Sequence, residues 1–425
     1  MLQKKFLPPM MIIGFLFFVF GFVSWLNAIL IPYFKLSLQL SLSEAMMVAF
    51  AFYISYFIMA LPSSWILERT GLKKGMMLGL FVMALGALLF IPAAHFRNYP
   101  MFLVGLFVQA TGLTLLQTAA NPYVTILGPI ESAASRMSLM GVCNKVAGAV
   151  APLILLKMVT KSPQEIDDIK SALPGLLPQQ ATDVLQQLIL RLQTPYGVMA
   201  AVLILLGLII YFSGLPDIKQ AQKSNIEKES IFRFPHLMLG TFAIFCGVSV
   251  EVLAVDSVIS YAEFHGFSFL HARYFATYTL VVMITGYLFG IAAIPRYISQ
   301  RNTLIGCAGL GMILTLVILV TPGSFSVWSV VMLGLCNALI WPAIWPLALK
   351  GLGAYTERGA AFLIMGIVGG AITPTLFGAI AVKSNLQQAY VILLPLYFFL
   401  LYYGYTGCRK GKRIKVAQVV LQEQS

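Results

Sequence analysis

Residues 136–152, RMSLMGVCNKVAGAVAP, and residues 358–374, RGAAFLIMGIVGGAITP, carry one pattern twice: an arginine, a run of small and apolar residues, and a proline sixteen positions on. The two copies lie 222 residues apart, with GAVAP and GAITP at equivalent places. Upstream, Asn121-Pro122 and Trp345-Pro346 precede the arginines by 14 and 12 residues, so a whole supersecondary unit is duplicated. Both copies run basic end first. That direction indicates a parallel repeat, two halves about a pseudo-two-fold axis with a central site between them.

Working outward, each copy sits in an apolar run long enough to cross a bilayer, which takes about 20 residues. Such runs fall near 8–33, 45–67, 74–92, 100–124, 137–157 and 195–213, then 237–261, 273–294, 304–321, 326–349, 359–382 and 389–407. The 425 residues are 59% apolar and only 10% charged, with mean hydropathy +0.88, which excludes a water-soluble globular domain of this length. Runs this long fit helices rather than the roughly ten-residue alternating strands of an outer-membrane barrel. The expected fold is an all-α polytopic membrane protein with twelve transmembrane helices in two six-helix pseudo-symmetric halves. Residues 1–213 form the first half, 214–236 a charged linker, and 237–425 the second half with a basic tail. Residues 158–194 are expected to form a loop with a short amphipathic helix.

Placing both termini in the cytoplasm puts nineteen Lys and Arg on that side and eight on the other, as the positive-inside rule requires. The linker and tail then face the cytoplasm, and the 158–194 loop faces outward. The net charge of +13 is loop bias of this kind rather than a nucleic-acid footprint. The first apolar stretch is too long for a signal peptide and lacks a small-residue cleavage site, so it is kept as the first span. Five cysteines without a CxxC give neither a disulfide framework nor a metal site. The four histidines fall at loops or span edges, and no GxxxxGK[ST] loop is present, so an enzyme, a resident cofactor and ATP-driven transport are all unsupported.

Of fifteen acidic residues, only Glu251 and Asp256, in IFCGVSVEVLAVDSVISY (244–261), lie deep in an apolar run. An intramembrane charge costs about 2.5–3.5 kcal/mol on insertion scales, so such groups face a cavity, a partner or an ion. The two are candidate cation-coupling residues for H+ or Na+, against the plainer reading of a structural carboxylate pair locking helices. Five residues on a helix is about 140° of rotation, so they share no face unless the helix unwinds locally, for which Gly247 gives the opportunity. Lys145 lies nine positions past Arg136, roughly 13 Å into the fifth span, and is a candidate counter-charge to Glu251, with snorkelling to the surface as the alternative. Asn27, Gln117, Asn121 and Asn144 offer amides that both donate and accept, which suits a polyhydroxylated ligand, although such an amide taken singly more often bonds helix to helix. Trp341 offers an aromatic face to a sugar ring, and Trp345 fits interfacial anchoring better.

The strings FFVFGFVSWLNAILIPYFK (17–35), AFYISYFIMALPSSWILERTGLKKGMMLGL (51–80), GLFVQATGLTLLQTAANPYVTILGPIESAASR (105–136) and WPAIWPLALKGLG (341–353) resemble the fucose/glucose/galactose permease family of the major facilitator superfamily. The resemblance spans nearly the whole chain, LLQTAANPYVTILGP being its most specific part. It implies a bacterial inner-membrane sugar symporter working by alternating access. In the L-fucose–proton branch, a first-span aspartate and a fourth-span glutamate occupy the places held here by Ala28 and Gln117. The chain is more similar to the glucose/galactose branch, in which the seventh span carries an acid pair spaced like Glu251 and Asp256. The reading is a hexose importer driven by a cation gradient, acting as a monomer in the lipid bilayer without a nucleic-acid partner. An uncoupled uniporter, a drug or metabolite exporter and a non-transporting sugar sensor are the competing readings.

Overall fold

In hydrocarbon every backbone N–H and C=O must find its partner within the protein, so the apolar runs become helices. A computed structural model describes residues 9–126, 133–213, 231–294, 296–352 and 355–410; the 214–230 part of the linker and the tail beyond residue 410 lie outside the described residues. Within them are twelve helices long and apolar enough to cross a membrane. The first six are Met10–Ser37, Leu42–Leu67, Leu72–His95, Tyr99–Asn121, Arg136–Val159 and Pro178–Phe212. The second six are Pro235–Asp256, Phe269–Ala293, Gln300–Val320, Gly323–Leu349, Gly359–Lys383 and Leu386–Arg409. They are called the first to twelfth spans below.

The packing repeats as the duplicated pattern requires. The first span lies against the fifth as the seventh does against the eleventh; second and fourth pair as eighth and tenth do; third and sixth pair as ninth and twelfth do. The halves meet through the second span on the eleventh and the fifth on the eighth, the same contact in both senses of the pseudo-two-fold. Close approach within a half relies on glycine. A Cβ on Gly21 would fall 1.8 Å from the Asn144 carbonyl oxygen, and one on Gly369 would fall 2.1 Å from the Phe245 carbonyl oxygen, so the first–fifth and seventh–eleventh crossings admit no side chain there.

Several spans are interrupted, and three of the breaks bear on the site. The first span divides into Pro9–Ser24 and Asn27–Ser37, the tenth into Gly323–Ala338 and Ile340–Leu349, and the seventh ends at Asp256 before a further helix, Val258–Phe264. Unwinding at Gly247 does not occur. The helix is continuous through Gly247, whose Cβ position lies 2.8 Å from Ile340 Cγ2, so the missing side chain serves contact with the tenth span. The 158–194 stretch holds two helices instead of one, Glu165–Ala172 and Pro178–Leu190, the second leading through a turn into the helix Gln193–Phe212.

Candidate functional site

The first-span interruption places Trp25 against the fifth span. Gly148 makes room for it, since a Cβ there would lie 2.2 Å from Trp25 Cδ1. Trp25 Nε1 donates to Asn144 Oδ1 at 3.1 Å, and the Lys145 Nζ stands 4.0 Å from the centre of the indole ring. Asn144, Lys145 and Gly148 thus use one turn of helix to hold one indole, whose π face is a favourable seat for a desolvated ammonium. Asn144 also donates from Nδ2 to the Phe17 carbonyl at 3.5 Å.

From that seat Lys145 crosses to the other half and forms an ion pair and hydrogen bond with Glu251 Oε1. The two side chains are only 5% and 13% exposed, so the pair is a largely desolvated bridge between fifth and seventh spans. Tyr53 of the second span lies close enough to feel the charges of both Glu251 and Asp256, and Tyr287 of the eighth that of Glu251. Gly370 seats the Tyr53 ring, with a notional Cβ 2.7 Å from its Cγ. Gly370 is the repeat equivalent of Gly148, so both copies use this glycine to accept an aromatic ring from a neighbouring span.

Asp256 differs from Glu251. It is fully buried, and neither carboxylate oxygen has a hydrogen-bond partner among the described residues. It also closes the helix Pro235–Asp256, the end at which the helix dipole is negative. An unpaired carboxylate is costly to bury as the anion, so a carboxyl at this place is either neutral as the protonated acid or balanced by an ion. Beyond the helix end, Ser257 Oγ is 2.7 Å from Tyr390 Oη, fastening the break to the twelfth span.

Of the amides, Gln117 donates from Nε2 to Tyr56 Oη at 3.1 Å, and Asn121 is buried on the same span. Asn27 opens the helix Asn27–Ser37, but its side chain lies outside the described residues. Trp341 is half-buried and stacks on Trp345 with ring centres 5.2 Å apart. Asn337, another amide of the spans, is spent on structure: it donates to the Val250 carbonyl at 3.0 Å and accepts from Tyr397 Oη at 2.7 Å. The structure therefore brings Asn144, Lys145 and Glu251 together, holds Asp256 apart in a sealed position, and places Gln117 on Tyr56. No group of three or more His, Cys, Asp or Glu side chains comes together among the described residues. Trp25, Tyr53, Tyr56 and Tyr287 are contributors that the sequence reading did not select. The available signal for Trp25 was the WLN string, and for the tyrosines only their polar atom within apolar runs.

At the end of the bundle that carries the 158–194 stretch, Asp167 crosses to the other half. Its Oδ1 and Oδ2 accept the backbone N–H groups of Phe269 and Leu270, each at 2.9 Å. Lys170 pairs with Glu263, Arg273 Nη1 donates to the Pro163 carbonyl at 3.4 Å, and below them Thr277 Oγ1 donates to the Ala149 carbonyl at 2.8 Å.

Similar proteins share this architecture. The chain is 34% identical over 412 residues to the glucose/galactose transporter of Brucella abortus, covering 96% of each. It is 31% identical over 404 residues to the L-fucose-proton symporter of Escherichia coli, covering 92% of this chain and 91% of that one. A crystal structure of the transporter FucP in the outward conformation superposes with a TM-score of 0.74 at 29% identity, covering 94% of this chain and 98% of that chain. The Major Facilitator Superfamily profile matches residues 13–370. Twelve spans in two similar halves are the form of that superfamily, and the chain belongs to it.

Proposed function

We propose that this protein imports a hexose of the glucose/galactose kind by alternating access, coupled to an inward cation gradient. The observation that carries the coupling is Asp256, a sealed carboxylate whose two oxygens have no partner among the described residues. Such a group takes a proton or a small monovalent cation, and Glu251 is less free to do so because it already holds the Lys145 ammonium. The sugar reading rests on the amides of Gln117, Asn121 and Asn144, on the half-buried Trp341, and on relatives named as sugar transporters over nearly their whole length. Sugar and ion that each favour the same state of the cavity shift the equilibrium together, which is the thermodynamic origin of coupling.

The positive-inside count supports both termini in the cytoplasm and the Asp167 end of the bundle outside, and the bacterial transporters among the relatives support an inner membrane. The protein acts as a monomer in this reading. Counterflow in reconstituted vesicles, run with a panel of hexoses at varied pH and sodium concentration, tests it: exchange of glucose or galactose is expected, with uphill uptake that follows one of the two ion gradients. Absence of hexose exchange overturns the substrate, and uphill uptake with both gradients collapsed overturns the coupling.

A further inference from the structure

The segment Glu165–Ala172, sequence EIDDIKSA, presents two faces with different jobs. One face anchors it to its own half. Glu165 receives both Nη1 and Nη2 of Arg191, at 2.8 and 2.9 Å, and the Lys161 backbone N–H at 2.5 Å, while Arg191 Nη1 also donates to the Val159 carbonyl at 3.0 Å. Ile166 is buried beside them. The other face reaches the opposite half through Asp167 and Lys170, and it takes over a local duty there. Ser268, which precedes the helix Phe269–Ala272, makes no side-chain cap, its hydroxyl being engaged with His271 Nδ1 at 3.0 Å. The carboxylate of Asp167 satisfies those two backbone N–H groups instead.

We infer that this segment is a releasable strap across the outer mouth, fixed to the N-terminal half through Glu165 and let go at Asp167 and Lys170 each time the outside opens. The inference rests on alternating access as proposed above, but not on the identity of the sugar. The character of the contacts suits release. Lys170 and Glu263 are 34% and 26% exposed, so water replaces each partner as they part, and the Phe269 and Leu270 N–H groups turn from a carboxylate to solvent. The contact beneath, Thr277 to the Ala149 carbonyl, is also a single polar one between the halves. A strap of this kind sets how often the outer mouth opens, so Asp167, Lys170 and Glu263 are positioning residues that touch no substrate.

The test uses the full-length protein in intact cells with Thr277→Cys as a reporter and a membrane-impermeant maleimide as the probe, with the protein lacking Thr277→Cys as background for its own thiols. Lys170→Glu and Glu263→Lys should each raise the labelling rate about two- to fivefold, the factor that corresponds to a partly exposed ion pair, and Asp167→Asn, which takes the charge from two hydrogen bonds to backbone N–H groups, should raise it as well. Lys170→Glu combined with Glu263→Lys restores the pair in reverse and should return the rate to that of the parent, which a merely misfolded single variant would not do. Singles that label at the parental rate, or a double exchange as fast as the singles, overturn the strap. Labelling needs no sugar, so a chain that moves no hexose but still shows this pattern removes the hexose assignment and leaves the strap standing.

Discussion

Removing one member of the Lys145–Glu251 pair should destabilise the protein far more than removing both. With the two side chains 5% and 13% exposed, the survivor of a single substitution has little water to turn to. Breaking a buried pair at one end costs roughly 3–5 kcal/mol, whereas an apolar replacement of both partners is often close to neutral. Thermal unfolding in detergent, followed by intrinsic fluorescence, should therefore show two singles, Lys145→Met and Glu251→Gln, destabilised by about that amount. Lys145→Met with Glu251→Leu should lie close to the parent. Additive singles would refute the buried bridge.

Three further outcomes follow from the same contacts. Gly21→Ala sets a Cβ against the Asn144 carbonyl and should lower stability by about 1–3 kcal/mol or more, while Gly14→Ala, whose nearest neighbours stand at 3.7 Å, should be neutral or gain about 0.5–1 kcal/mol; thermal midpoints of the two variants check the contrast. Trp25→Phe keeps a ring beneath the Lys145 ammonium and loses the donor to Asn144, an expected cost of about 1 kcal/mol, and Trp25→Leu adds the lost cation–π contact, so the midpoints should order parent, Phe, Leu. Burial opposes ionisation of Glu165, but hydrogen bonds from Arg191 and the Lys161 backbone, with the Arg191 charge, outweigh it and hold this carboxyl below the usual range. Its anchoring is thus complete above the unfolded value near 4.3 and lost as pH falls through the lower folded one, so hydrogen exchange over 161–172, corrected for intrinsic rate, should stay flat from pH 8 to 5.5 and rise only below about pH 4.

The spans were legible because a bilayer sets a length that apolar runs either meet or miss, and the Arg136 and Arg358 repeats fixed their grouping. The depth of Lys145 followed from helical rise alone. The break at Trp25 did not, since the stretch Ser24-Trp25-Leu26-Asn27 holds neither glycine nor proline, and the neighbouring Gly148 explains the ring's place. Tyr53 and Tyr287 carry no sequence signal of their own, and only the packing of the second and eighth spans sets them beside the pair. Asp167 read as a solvated loop acid because its partners, two backbone N–H groups about a hundred residues away, leave no trace in side-chain pattern. Gly247 misled for a related reason: a glycine that permits close packing and one that permits unwinding look alike in one dimension.

The distinction between a paired Glu251 and an unpartnered Asp256 is settled most directly by Asp256→Asn in proteoliposomes, where exchange and uphill uptake are read on one preparation. Sugar counterflow at or near the parental rate with accumulation against a gradient abolished is the expected result. Accumulation as steep as the parent's would contradict the account.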